Sequence, residues 1–194
     1  MRRPTPDHDD LHHALHAARN GDPHGFALLW RALQPALLRY LRVVIGQHAE
    51  DAASETWLQV IRDLDHFDGD LGSFRGWLFR IARHRALDER RRRQRLSTTG
   101  STASVDTPTT TDASTAVLDG EGTDWALRII ATLPADQAEA VMLRIVAGLD
   151  VATTAHILGK RPGAVRVATM RGLRRLATHP QVNARTTRTP AGEV

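Results

Sequence analysis

A chain of 194 residues, 41% of them apolar, has room for one core or two small ones. It is too apolar to stay unfolded throughout, and without cysteine it can hold no disulfide, thiolate metal site or thiol nucleophile. The net charge of +4 is modest but strongly segregated. The N-terminus "MRRPTPDHDD" lacks an apolar h-region, and no eighteen apolar residues run together, so neither a signal peptide nor membrane insertion is expected, and the expected location is cytoplasmic.

In chain order, Leu11, Ala14, Leu15 and Ala18 recur at helical spacing. Phe26, Leu29, Trp30, Leu33, Leu37, Leu41 and Val44 follow, with Pro35 expected to kink or split their helix. A third stripe is Ala53, Trp57, Val60, Ile61 and Leu64. It ends in the turn-rich "HFDGDLGS", with Ser73 expected as the N-cap of the next helix. From Gln47 to Asp70 there are seven acids against one Arg.

The fourth stripe is Phe74, Trp77, Leu78 and Ile81, with Phe79, Arg80, Arg83 and Arg90 expected on the far side. From Phe74 to Arg95 there are nine Arg against Asp88 and Glu89, and this run continues a core-packed helix rather than starting a tail. Its last residues, Arg92 to Arg95, are expected to fray. From residue 96 to 123 the chain is rich in Ser, Thr, Asp and Gly and poor in large apolar residues, which reads as a flexible, acidic linker.

The second half opens with Trp125, Ile129 and Leu133, closed by Pro134. Ala138, Val141, Met142 and Ile145 follow, closed by Gly148. In "LDVATTAHILGKRPGAVRVATMRGLRRLA", Asp150 can cap a short helix, Gly159 supplies a turn and Pro162 opens a longer basic helix. That is the pattern of a helix-turn-helix, whose second helix enters the major groove. From Lys160 to Leu176 there are six basic residues and no acid. Pro180 is expected to stop the last helix, leaving a tail. The expected fold class is all-α: two small helical domains (9–95 and 124–179) joined by a flexible linker (96–123), the second containing the helix-turn-helix, and a tail (180–194).

Two basic blocks separated by acidic ones fit a polyanion gripped at two places and a basic protein surface gripped elsewhere. Taken singly, each block also reads as a solvated helix face.

The segments "FALLWRALQPALLRYLRVVIG", "AEDAASETWLQVIRDLDHF", "GSFRGWLFRIARHRALDERRRR" and "LPADQAEAVMLRIVAGLDVATTAHILGKRPGAVRVATMRGLRRLA" cover most of the chain from Phe26 to Ala177. In this order they resemble the small extracytoplasmic-function (ECF) group of bacterial RNA polymerase sigma factors. The resemblance implies a chain without enzymatic activity or cofactor that binds core RNA polymerase and promoter DNA, the first domain serving the −10 element and the second the −35 element. It leaves room for an anti-sigma protein as a further partner.

By the same resemblance, Asp51, Ser54, Glu55 and Leu58 would dock on the largest polymerase subunit. Phe67, Arg75, Phe79, Arg80, Arg83, His84 and Arg90 would handle the −10 element, where strand separation needs a cationic track and a surface for unstacked bases. Trp77 fits the core better than a base-stacking role. Lys160, Arg161, Arg171, Arg174 and Arg175 would anchor phosphates, and Arg166 and Met170 would face the groove. Arg166 is the best placed for a base edge. The chain departs from the family pattern at His84, where Asn is common, and at Thr153, Thr154, Val167, Ala168 and Thr169. These departures bear on element preference and on the stability of the second domain. The linker reads either as an acidic segment for a basic polymerase channel or as a plain spacer.

Two other readings stay open. A helix-turn-helix regulator that never meets polymerase would need neither the Asp51–Glu55 face nor the −10-like helix. His8, His12 and His16, at i, i+4 and i+8, could share a metal, although no fourth ligand is evident and no metal site is expected. No phosphate-cradling loop, catalytic triad or paired carboxylates are present to suggest catalysis.

Overall fold

The structure, a computed structural model, describes residues 8–98 and 121–186. Most of the expected linker and the end of the expected tail lie outside the described residues. Within them every regular element is helical.

The first half is a bundle of four helices: α1 (His8–Arg19), α2 (Pro23–Ile45), α3 (Ala49–Asp63) and α4 (Leu71–Thr98). The turn between α1 and α2 is closed by Asp22, whose carboxylate accepts from the backbone N–H groups of His24 and Gly25. Gly25 lets the two helices approach closely: a Cβ there would lie 2.6 Å from the Ala14 carbonyl oxygen. Helix α2 runs through Pro35 as one element. An interior proline costs about 3 kcal/mol. Burying Leu29, Leu33, Leu37, Tyr40, Leu41 and Val44 on one stripe, at roughly 1.5–3 kcal/mol for each large apolar side chain, outweighs that.

Helix α3 buries Ala49, Ala52, Ala53, Thr56, Trp57 and Val60. The Trp57 indole N–H donates to Gln34 Oε1 at 2.6 Å, and its ring meets Phe26 edge-on. Ile61, expected on the buried stripe, is 55% exposed, because it lies at the edge of that stripe, three residues on from the exposed Leu58. Helix α4 starts three residues earlier than expected. Its cap is Asp70, which accepts from the Ser73 N–H at 2.7 Å, rather than Ser73 itself. The basic run is helical throughout, including the residues expected to fray.

The second half contains α5 (Glu121–Ala131), α6 (Ala135–Val141), a π-helical turn (Met142–Val146), α7 (Val151–Leu158), α8 (Pro162–Ala177) and α9 (Pro180–Thr186). The π turn leaves Ile145, expected on the apolar stripe, 57% exposed. Asp150 caps α7, Gly159 takes the left-handed conformation (φ 63°) after it, and Pro162 opens α8. Residues expected as tail form α9 instead, and Arg185 lies over the Trp125 ring, 4.8 Å from its centroid.

The two halves share a core. Leu127, Met142, Leu143, Leu149, Ile157, Leu158 and Val165 join one buried cluster with the apolar residues of α1–α4. Helices α5 and α6 and the π turn pack on α2, while α7 packs on α4.

Replacing Gly25 by Ala should lower thermal stability by about 1–3 kcal/mol, since the obstacle is backbone that cannot rotate away. Asp150→Ala should cost about 1 kcal/mol of helix capping, measured by thermal denaturation at neutral pH. Hydrogen bonds from the Thr153 hydroxyl and N–H hold the Asp150 carboxyl below its ordinary value. A depressed folded-state value means this contribution is complete above the unfolded value, about 3.9, and is lost as pH falls through the folded one. The gap between wild type and Asp150→Ala should therefore close in acid; a gap that persisted unchanged would remove the charged cap.

Candidate polymerase and nucleic-acid interface

Three surfaces follow from which face each helix buries. On α3 the buried stripe leaves Asp51, Ser54, Glu55 and Leu58 together on the solvent side, with Leu58 57% exposed. Ile61 extends this face, giving an acidic patch with two exposed aliphatic side chains. Glu55 is tied loosely to Arg85 of α4 at 3.9 Å. An exposed pair of this kind contributes little and exchanges easily for another cation.

The second surface is α4 and the loop before it. Phe67 stacks on Trp77 (5.1 Å between centroids, 22° between planes) and meets Phe74 edge-on. Phe67 and Trp77 form one wall of a cleft of about 620 Å³, which Arg80, His66, Asp63, Thr153 and His156 also line, while Phe74 is buried. Arg80 and His84, one turn apart, are exposed. Phe79, expected on the outer side, is wholly buried with its ring edge-on to Tyr40 at 5.7 Å. The helical stripe of α4 is wide enough to take it into the core, so this ring offers no stacking face here. Arg75, Arg83 and Arg90 do not face solvent freely. Arg75 donates to the Ala147 carbonyl, and Arg83 and Arg90 converge on Glu139 of α6.

Glu139 is the residue sequence reasoning missed. Its signal was an acid set among the apolar Ala138, Ala140 and Val141, on the side where α6 meets α2 and α4. The Tyr40 hydroxyl lies buried beside this cluster with no hydrogen-bond partner among the described residues. Burial, and then the Glu139 charge, push its ionisation far up, so it remains a neutral phenol.

The third surface is α8. Val165 and Gly172 are buried and Thr169 and Leu176 face inward, as the spacing predicts. Gly172 allows the approach to α6, since a Cβ there would come within 2.8 Å of Val141. Arg161, Arg166, Met170, Arg171, Arg174 and Arg175 are left exposed, together with Val167 and Leu173. Lys160, at the turn, pairs with Asp136 at 2.5 Å. Among the described residues no group of three His, Cys, Asp or Glu side chains is arranged to hold a metal; His12 and His16 are exposed on α1.

Residues 29–96 match the family description of sigma-70 region 2, and residues 123–176 that of sigma-70 region 4. The chain is similar to the ECF RNA polymerase sigma factor ShbA of Streptomyces griseus, at 32% identity over 84% of this chain and 91% of that one. It is also similar to the ECF RNA polymerase sigma factor BldN of Streptomyces coelicolor, at 30% identity over 91% of this chain and 69% of the other. In fold it resembles the sigma factor RpoE of Bartonella quintana, solved with the anti-sigma factor NepR, with a TM-score of 0.63, 24% identity, and 78% and 93% of the two chains covered. Bearing both regions in order, the chain belongs to the ECF group of RNA polymerase sigma factors, non-catalytic initiation factors that bind core polymerase and recognise the −10 element through region 2 and the −35 element through region 4.

Proposed function

We propose that the three surfaces divide this work by residue. The exposed acidic face of α3, with Asp51, Ser54, Glu55 and Leu58, docks on a basic surface of core polymerase. Complementary charge there selects the partner, and the aliphatic side chains supply buried area. Arg80 and His84, with Phe67 at the cleft and Arg75, Arg83 and Arg90 when accessible, hold the separated −10 strand by phosphate contact and stacking. In α8, Arg166 reads a base edge and Met170 lies against the groove. Lys160, Arg161, Arg171, Arg174 and Arg175 set the register on phosphates.

The observation that carries this reading is α8. It buries one side through Val165 and Gly172 and presents four arginines on the other, none of them ion-paired with another described residue. A regulator that ignores polymerase would leave the α3 face unexplained. An anti-sigma protein is a further partner in this reading, as NepR is for the similar RpoE. The chain works in the cytoplasm, where polymerase and DNA meet; no described helix is long and apolar enough to cross a membrane.

Transcription from genomic DNA with core polymerase and this chain, followed by mapping of 5′ ends, should reveal new starts sharing two spaced upstream elements. DNA binding without new starts would favour the plain regulator. Asp51→Arg with Glu55→Arg should abolish polymerase binding while leaving the thermal transition intact, and unimpaired binding would remove the docking face. Arg166→Ala should relax preference at one −35 position by about 1–3 kcal/mol of discrimination. Arg175→Ala should weaken all sequences alike and reduce the salt slope by about one. Equal, sequence-independent losses from both would overturn the split between reader and anchors.

A further inference from the structure

Three of the α4 cations assigned to the −10 strand are engaged by the second half of the chain. Arg83 Nε donates to Glu139 Oε2 at 3.1 Å, and Arg90 Nη1 lies 3.9 Å from Glu139 Oε1. Arg75 Nη2 donates to the Ala147 carbonyl oxygen at 2.5 Å. The Glu139 side chain is only 10% exposed and Arg83 20%, so this charge cluster is largely withdrawn from water, unlike the surface pair of Arg91 and Asp88 on the same helix. A carboxylate offers guanidinium groups the same kind of acceptor oxygens that a backbone phosphate would. It therefore occupies these arginines in the chemistry proposed for DNA.

The steric fit agrees with the electrostatics. Helices α4 and α7 touch at Gly76, where a Cβ would stand 2.7 Å from Thr153 Cγ2. Thr153 cannot easily turn aside, because its hydroxyl donates to Asp150 Oδ2 at 2.7 Å. The −10 and −35 elements are by their names about 25 base pairs apart, roughly 85 Å of B-form DNA at 3.4 Å per pair. A chain whose α4 rests against its own helix-turn-helix cannot hold both at once. The halves must part before initiation.

We propose that Glu139 is an intramolecular latch that stands in for DNA phosphate on Arg83 and Arg90, keeping the free chain closed and its −10 surface masked until the halves separate. The inference rests on the −10 assignment of α4 made above. Two substitutions of unrelated chemistry open the latch. Glu139→Gln removes the anion and leaves the two arginines seeking another. Gly76→Ala wedges α4 from α7 while raising the intrinsic helix propensity of α4.

The chain has no cysteine, so His13→Cys and Ala177→Cys, both at exposed sites in opposite halves, allow a spin-label distance to be measured in the full-length protein. Affinity is read on the same proteins by fluorescence anisotropy with a single-stranded oligonucleotide of the −10 element mapped by transcription. Both variants should lengthen the distance and tighten oligonucleotide binding by about tenfold, because apparent affinity scales with the open fraction. Unchanged distances in both would overturn the latch. Longer distances without tighter binding would overturn the masking. Arg80→Ala in the Gly76→Ala background separates the two readings, since Arg80 takes no part in the latch. Weaker binding there upholds the −10 assignment. Undiminished binding overturns that assignment, and with it the proposed function of the latch, while the distance measurement still reports whether the halves part.

Discussion

Helix α4 buries Leu71, Phe74, Leu78, Phe79, Ile81, Ala82 and Ala86 against its neighbours, and its remaining residues act from the surface which that stripe leaves over. The stripe is continuous with a basic run, so the arginines are held on a rigid rod and not on a tail. Their positions follow from the 3.6-residue period once the buried face is set. Even the distal Arg93 is used this way, donating to the Ile45 carbonyl at the end of α2. The same rod touches α7, and this makes the packing of one half matter to the DNA-facing side of the other.

The arginines differ in what surrounds them. Arg91 pairs with Asp88 along the helix surface, where water screens the attraction and either partner can leave at little cost. Arg83 shares its carboxylate with Arg90 inside a contact that excludes most water. Removing one partner from such a cluster costs far more than the pair contributes when intact, because a charge is left without compensation. Chemically similar residues on one helix therefore play different parts: exposed ones are available at once, and enclosed ones only after a conformational change. On α8 the arginines stand in solvent beside Val167, Met170 and Leu173, a surface that needs no rearrangement to meet a groove.

Much of this was legible beforehand, and the misses have local causes. Asp150, Gly159 and Pro162 announce the helix-turn-helix because each acts through its own backbone geometry, which distant packing does not alter. Pro35 does not split α2, since a long apolar stripe outweighs one lost hydrogen bond and a local clash. Asp70 and Ser73 are both competent caps three residues apart, and the packing of Leu71 in the core chose the earlier one. Ile61 and Ile145 fall on apolar stripes by spacing alone. Their exposure was decided by which edge of α3 the neighbouring helices cover and by the π turn that shifts the register after α6.

What the sequence by itself determined is the set of helices, the helix-turn-helix and the segregation of charge, because these depend on residues within one or two turns of one another. Only the tertiary structure decided that Phe79 belongs to the core, that Glu139 meets Arg83 across a separation of 56 residues, and that Gly76 must be small to admit Thr153. Such contacts arise from the way whole helices stack, and no periodicity within a single helix records which neighbour its outer face will meet.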